Sequence, residues 1–325
     1  MFDFCPIIVY TYVILIANYF ERGNFYMPDY NRLVKREQIE KEREQYICKR
    51  TDMIQKARYT LKPQEQKTIL YAISKIKPDD PIDKEYSIDI KDFFKVCGLT
   101  SDKNYSHFKK LIKDLSDKSW WYSENDTERL IRWFDTLNIN KKSGIIKLRF
   151  HREMMPFLIN LVKENQYITR YELKYILPMN CMYSVRLYEL LKSYVNRDSW
   201  FFNIEDLKRL LDCQNYKNYK DFNNRALKPA IEEINKYSDI VVRSSEVRKG
   251  RKVERIVFYI DRKTTLEKVE TWDNIREELD GQIYMDELIG YEDIKDANQF
   301  HSERFKAHDE QREFDKKRKE KFNIE

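Results

Sequence analysis

The clearest alternation of apolar and polar positions in the chain begins at Phe222. From there Phe222, Ala226, Leu227, Ala230, Ile231, Ile234 and Tyr237 recur at helical spacing and gather on one side of a helix. The opposite side carries Asn224, Arg225, Lys228 and Asn235, with Lys217 and Lys220 just ahead. Cationic residues are thus concentrated toward the helix N-terminus, the end that favours phosphate. Pro229 lies inside this helix, removes one backbone hydrogen bond and clashes with the carbonyl of Arg225, which predicts a kink near Arg225. Such a kink either angles the basic half into a groove or serves only to fit the core. Two β-rich runs follow at 240–243 and 253–260, joined by 246–252. They predict a hairpin whose tip carries Arg248, Lys249, Arg251 and Lys252.

The rest of the chain reads as follows. Residues 4–17 are an apolar run, short for a bilayer span and preceded by Asp3 instead of cations. Met27 follows it and opens a polar stretch, so 1–26 read as a segment upstream of the true start, with a packed element or a membrane anchor as the alternatives. A chain starting at Met27 is expected to fold and to bind the same partner. Residues 32–50 read as a charged helix, and Pro63 in the first turn starts a helix over 64–76 with Ile69, Leu70 and Ile73 buried. A strand at 86–90 and a helix at 91–97 ended by Gly98 come next. From Tyr105 another helix buries Phe108, Leu111, Ile112 and Leu115 and leaves Lys109, Lys110 and Lys113 toward solvent. Residues 120–122, 130–137 and 145–150 are strand-like, the last two meeting at a second basic tip with Lys141 and Lys142. A helix over 151–163, short helices at 272–279 and 285–289, and a solvated or partner-binding charged segment at 302–321 complete the expectation.

The order helix, strand, helix, helix, hairpin occurs twice. Ile90 matches Ile204, Asp92 matches Asp206, Asn104 and Tyr105 match Asn218 and Tyr219, and Phe108 matches Phe222, all at an offset of 114 residues. Leu70 and Tyr71 correspond to Leu187 and Tyr188 at a slightly different offset. Helices followed by a two-stranded wing describe a winged helix, whose last helix enters the DNA major groove. The predicted fold is therefore α+β, with two tandem winged-helix domains related by internal duplication and a charged C-terminal tail. The expected segments are an extension at 1–44, domains at 45–163 and 164–262, and a tail at 263–325. No Gly/Ser linker separates the copies, so they are expected to be held in a fixed relation.

Composition narrows the chemistry. A 325-residue chain with 42% hydrophobic and 14% aromatic residues buries a real core despite 36% charged residues, and its net charge of +6 suits a polyanionic partner. Five scattered cysteines, with no C-x-x-C pair, indicate neither a disulfide framework nor a thiolate zinc site, and fit a reducing cytoplasm. Six glycines form no phosphate-cradling loop, and His107, His151, His301 and His308 show no metal-ligand spacing. No carboxylate sits in an apolar context suited to acid or base work. The expectation is a protein with no catalytic residues, no metal and no cofactor.

Two segments carry a resemblance: YSVRLYELLK at 183–192 and LKPAIEEIN at 227–235. They resemble hallmark segments of the iteron-binding Rep family of plasmid replication initiators, over roughly residues 50–262. The resemblance implies two winged-helix domains that bind direct repeats in double-stranded DNA at a plasmid origin. It also implies a homodimer that represses its own gene beside a DNA-bound monomer, host replication proteins as further partners, and no membrane. In that family the second module reads one part of the repeat, while the first contacts the adjoining part and supplies the dimer interface. The DNA-binding set is then Lys109, Lys110, Lys113, Lys141, Lys142, Lys217, Lys220, Asn224, Arg225, Lys228, Arg248, Lys249, Arg251 and Lys252. Two alternatives stay open: a winged-helix transcriptional regulator without a replication role, and a DNA-nicking replication enzyme, for which tyrosines abound but a metal cluster is missing.

Overall fold

The structure, a computed structural model, describes residues 30–98, 105–140 and 142–288. The predicted start at Met27, the apolar run 4–17 and the segment 302–321 lie outside the described residues. The chain divides into two compact units, Met1–Lys41 and Glu42–Glu325. In the first, helix α1 (Tyr30–Arg43, which runs on into the second unit) carries an exposed i,i+4 pair, Glu37 to Lys41 at 2.7 Å.

The second unit holds both modules. The expected helix at 32–50 stops at Arg43, and Tyr46–Arg50 is instead strand β1. Its pairing partner is remote: β1 runs antiparallel to β8 (Ile168–Glu172), with Cys48 opposite Arg170. Helix α2 (Thr51–Lys56) and the two-residue strand β2 (Ala57–Arg58) follow. Helix α3 (Pro63–Ser74) begins with Pro in its first turn, and the Glu65 carboxylate accepts from the Lys62 backbone N–H at 2.7 Å. Every residue from Glu65 to Ser74 is buried, because α3 is surrounded on all sides. Its polar groups therefore need partners inside. Gln66 donates to the Leu61 and Met182 carbonyls at 2.8 and 3.1 Å, and Lys67 to Asn180 Oδ1 at 3.0 Å.

The duplication is visible in the elements. Strand β3 (Tyr86–Asp89) leads into α4 (Ile90–Val96), capped by the Asp89 carboxylate, which accepts from Lys91 N at 2.7 Å. Helix α5 (Tyr105–Ser116) follows, and its Phe108 packs on Phe93 and Phe94 at 4.9 and 5.2 Å between ring centroids. A hairpin of β6 (Phe134–Asn140) and β7 (Ile145–Phe150) closes the module as a sheet of order β3-β7-β6. A second time, α6 (Ser184–Lys192), β9 (Ser199–Asn203) and α7 (Ile204–Leu210) repeat the order of α3, β3 and α4. The third helix then starts at Tyr219, and the hairpin β10 (Ile240–Lys249) and β11 (Lys252–Arg262) gives the order β9-β11-β10. In both copies the strand ahead of the second helix pairs with the returning strand of the wing, Ile88 opposite Ile146 and Phe202 opposite Ile256.

The copies differ where the sequence pattern misleads. The run 130–137 is not one strand: it breaks at Trp133 between β5 (Thr127–Arg132) and β6. Strand β5 belongs to a separate sheet, β2-β4-β5, with β4 (Ser119–Glu124) in its centre. Trp133 turns the chain because its ring is fully buried against Trp120 at 5.9 Å between centroids. The expected helix over 151–163 is also absent, apart from one 3₁₀ turn, Met155–Phe157. Met154, Met155, Phe157, Leu158, Ile159 and Leu161 are all buried there, so a continuous apolar run fills a core without helical periodicity. Beyond the second wing the two short helices expected at 272–279 and 285–289 are one helix, α10 (Thr265–Leu288).

Helix α6 joins the modules. Lys49 of β1 and Glu189 of α6 are 2% and 1% exposed and lie 2.6 Å apart. Glu189 also accepts from Tyr59 OH at 3.1 Å and from Tyr171 OH. Arg186, one turn earlier, donates to the Ala57 carbonyl at 2.6 Å and the Leu210 carbonyl at 3.3 Å. On the far side Tyr188 donates to Asp239 Oδ1 at 2.8 Å, and Lys192 pairs with the same carboxylate. Burial pushes Glu189 up, but Lys49 and Arg186 together outweigh it and hold its carboxyl below the usual range. Lys49, with one anion and a cation nearby, is pushed down by burial.

Removing one partner leaves a buried charge uncompensated. Glu189→Gln is expected to destabilise the chain by about 3 kcal/mol at neutral pH, and Lys49→Met combined with it by less than the sum of the single changes. Because Glu189 titrates lower when folded, its contribution is present above the unfolded carboxyl pKa and is lost as pH falls through the folded one. The stability gap between the parent and Glu189→Gln, measured by urea unfolding, should therefore shrink on acidification. A gap that is constant with pH contradicts this account.

Candidate nucleic-acid interface

The third helix of the second module is built in three parts. Asn218 caps its start, accepting from Asp221 N at 2.8 Å, and α8 (Tyr219–Phe222) makes the first turn. A wider π turn follows over Asn223–Leu227, in which the Lys228 N–H reaches back to the Asn223 carbonyl. Helix α9 (Lys228–Tyr237) then starts with Pro229 in its first turn. The predicted disturbance near Arg225 thus takes the form of a π turn, which spares Pro229 the hydrogen bond it lacks and the contact with the Arg225 carbonyl. Phe222, Ala226, Leu227, Ala230, Ile234 and Tyr237 are buried as the periodicity requires, while Ile231 is half-buried.

The exposed side carries Lys217, Lys220, Asn224, Arg225 and Lys228. Lys228 lies 3.9 Å from Glu232, and among the described residues no carboxylate pairs with Lys217, Lys220 or Arg225. Asn235 does not share that side. Its amide donates to the Val242 carbonyl at 2.9 Å and accepts from Val242 N at 2.6 Å, so it ties the third helix to the first wing strand. The helix is also tethered at Glu233, whose carboxylate accepts from the backbone N–H groups of Asn180 and Cys181 at 3.0–3.1 Å. Sequence reading missed both, because each partner is brought close only by the fold.

The wing is longer than its apolar runs suggest. Both strands extend to a two-residue turn, Gly250 and Arg251, with Lys249 opposite Lys252 and Gly250 at φ +63°. The basic residues therefore sit on paired strands as well as at the tip. Arg248 follows a bulge and donates to Glu246 at 2.5 and 3.0 Å, whereas Lys249, Arg251 and Lys252 are exposed with no carboxylate partner among the described residues. The Tyr219 phenol, at the start of the third helix, hydrogen-bonds Glu246, and burial together with that carboxylate pushes its pKa up. Tyr219, Glu246 and Arg248 thus hold the basic end of the helix beside the wing. Nothing in the local pattern pointed to Glu246.

In the first module Lys109, Lys110 and Lys113 are exposed on α5. The shorter wing turns through Asn140, whose side chain accepts from Lys142 N and Ser143 N at 3.0 and 3.2 Å, and Gly144 at φ +69°. Lys142 is exposed at that tip, and Lys141 lies outside the described residues. Among the described residues no group of three or more His, Cys, Asp or Glu is arranged to hold a metal ion, and no helix is long and apolar enough to cross a membrane.

Known proteins carry the same architecture. Residues 46–192 match the family described as initiator replication protein, WH1, and residues 203–260 match initiator Rep protein, WH2. The chain belongs to the initiator Rep family. It is a replication initiator built from two winged-helix domains. A replication initiation protein from Escherichia coli is 24% identical over 236 residues, covering 69% of this chain and 72% of that protein. The crystal structure of Pi initiator protein in complex with iteron DNA superposes with a TM-score of 0.57 at 19% identity, covering 68% of this initiator and 98% of that chain.

The double hydrogen bond of Asn235 ties α9 to β10. Asn235→Ala leaves Val242 N–H and C=O without their partner, and should cost about 1–3 kcal/mol in chemical unfolding. An unchanged midpoint and slope would show that the wing is held without it.

Proposed function

We propose that this initiator binds direct repeats in double-stranded DNA at a plasmid replication origin, and that the same binding represses its own gene. The observation that carries the reading is the second module's third helix and wing, where Lys217, Lys220, Arg225, Lys249, Arg251 and Lys252 stand exposed without carboxylate partners among the described residues. Unpaired cations on two adjoining elements suit phosphates, while Asn224 and Arg225 on the rigid helix suit base edges. The first module adds Lys109, Lys110, Lys113 and Lys142 on the equivalent elements. The protein acts without catalysis of its own, in the cytoplasm, by positioning DNA for host replication proteins. A homodimer is supported by strand β5: it is the edge of its sheet, and its Leu130, 57% exposed, faces Trp121, 43% exposed, across the pair.

Footprinting the full chain on DNA flanking its own gene tests the reading. Tandem protections at regular spacing are expected, and a single isolated protection at a promoter would favour a transcriptional regulator instead. Changing Lys109, Lys110 and Lys113 to Glu should shorten each protection on one side. An unchanged footprint would place that helix away from DNA.

The wing and helix are expected to fail differently. Neutralising Lys249, Arg251 and Lys252 should weaken cognate and random DNA by a similar factor and reduce the salt slope by roughly one log-log unit per lost phosphate contact. Arg225→Ala should cost about 1–3 kcal/mol on cognate DNA and much less on random DNA. Equal loss on both DNAs would remove Arg225 from base reading.

A further inference from the structure

Helix α10 lies beyond the second family match, which ends at residue 260, yet it is seated against both modules. Its start is fixed by Thr264 and Glu267: the Glu267 carboxylate accepts from Thr264 N at 2.7 Å, and Thr264 Oγ1 accepts from Glu267 N at 3.3 Å. Toward the second module, buried Lys263 donates to the Asn235 carbonyl at 2.6 Å and to Thr271 Oγ1 at 2.9 Å. Glu278 accepts from Tyr237 OH and lies 3.4 Å from Lys236, both at the end of the third helix. Trp272, Ile275 and Leu279 form its buried stripe. Toward the first module that stripe ends on Gly98, the residue closing α4. A Cβ there would stand 2.9 Å from the Leu279 carbonyl oxygen and 3.1 Å from its Cα and Cδ2. Gly98 is also at φ +67°, so both the backbone turn and the close approach require glycine. Burial lowers the pKa of Lys67 of α3, and Cys97, then Glu233 of α9 and Glu278 of α10, partly offset it.

We propose that α10 is a strut that fixes the distance between the two DNA-reading helices, so that this initiator selects its sites by the spacing between the parts its two modules read. The proposal rests on both modules binding DNA. Between Thr265 and Leu279 the helix spans roughly 20 Å at about 1.5 Å per residue. One inserted base pair separates two half-sites by about 3.4 Å and turns one relative to the other by roughly a tenth of a helical turn. A bonded helix with no glycine or proline between Thr265 and Asp280 does not absorb that displacement.

The test measures affinity of the full chain for its repeat and for the same repeat with one or two base pairs inserted between the segments protected by each module. The parent should lose about tenfold or more per insertion. Leu279→Asp, which places a carboxylate against Gly98, should lose less than about threefold, and amides of 90–98 should exchange faster in it. Leu279→Ala, a milder change, should fall between the two and carries the test if the aspartate variant does not fold. Parent-like insertion penalties in a folded Leu279 variant overturn the strut. An absent penalty in the parent overturns the two-module reading itself, a different result.

Discussion

A carboxylate deep in a protein is tolerable only where cations and hydrogen bonds replace the water it gives up. Glu189 meets that condition with Lys49 at 2.6 Å, two tyrosine hydroxyls and Arg186 one turn away, and each of those groups comes from a different segment. Lys49 sits on β1, Tyr59 between β2 and α3, and Tyr171 on β8, all within the stretch 46–192 that matches WH1. The cluster forms only when all of them are in place, so α6 is fixed by a charge that would be costly to expose or to leave alone, and from α6 Arg186, Tyr188 and Lys192 reach the Leu210 carbonyl and the Asp239 carboxylate of the second module. One of the two segments that carry the family resemblance, 183–192, is therefore a seam: its polar residues face Lys49, Ala57 and Asp239.

The duplicated plan has been put to different uses in the two copies. Both keep the sheet order in which the strand before the second helix pairs with the returning wing strand. The first copy adds β4 and β5 around a core of Trp120, Trp133, Tyr122 and Phe157, and leaves Leu130 exposed on the edge strand β5 opposite Trp121 of the central β4. The second lengthens the wing and puts a π turn in its third helix just ahead of Pro229. A π turn carries one more residue than an α turn, which displaces Asn224 and Arg225 relative to a regular helix, and Pro229 stiffens the turn that follows.

Elements set by local periodicity were legible in the sequence. The stripe from Phe222 to Tyr237, the buried face of α5, the Pro63 start and the Gly98 stop depend on neighbours within one or two turns, and the structure shows them with Ile231 as the marginal member. What was not legible depends on partners far along the chain. Tyr46–Arg50 is charged enough to read as helix until Thr169 and Tyr171 are opposite it. The 151–163 run looks helical by composition, but its apolar residues are needed in several directions at once. Asn235 looks like part of a polar face until Val242 folds back over it. Of the basic residues chosen from sequence, the described ones are all exposed, yet Arg248 and Lys228 have carboxylates beside them, which only the hairpin register and the helix geometry reveal.

Helix α6, held by the buried Glu189 cluster on one side and bonded through Arg186, Tyr188 and Lys192 to Leu210 and Asp239 on the other, makes two winged-helix modules one cooperative body. Scanning calorimetry of the full chain tests it most directly, since independent domains unfold independently. The account predicts one transition across residues 42–288, with equal calorimetric and van't Hoff enthalpies. Two resolved transitions, each sized for a single module, would contradict it.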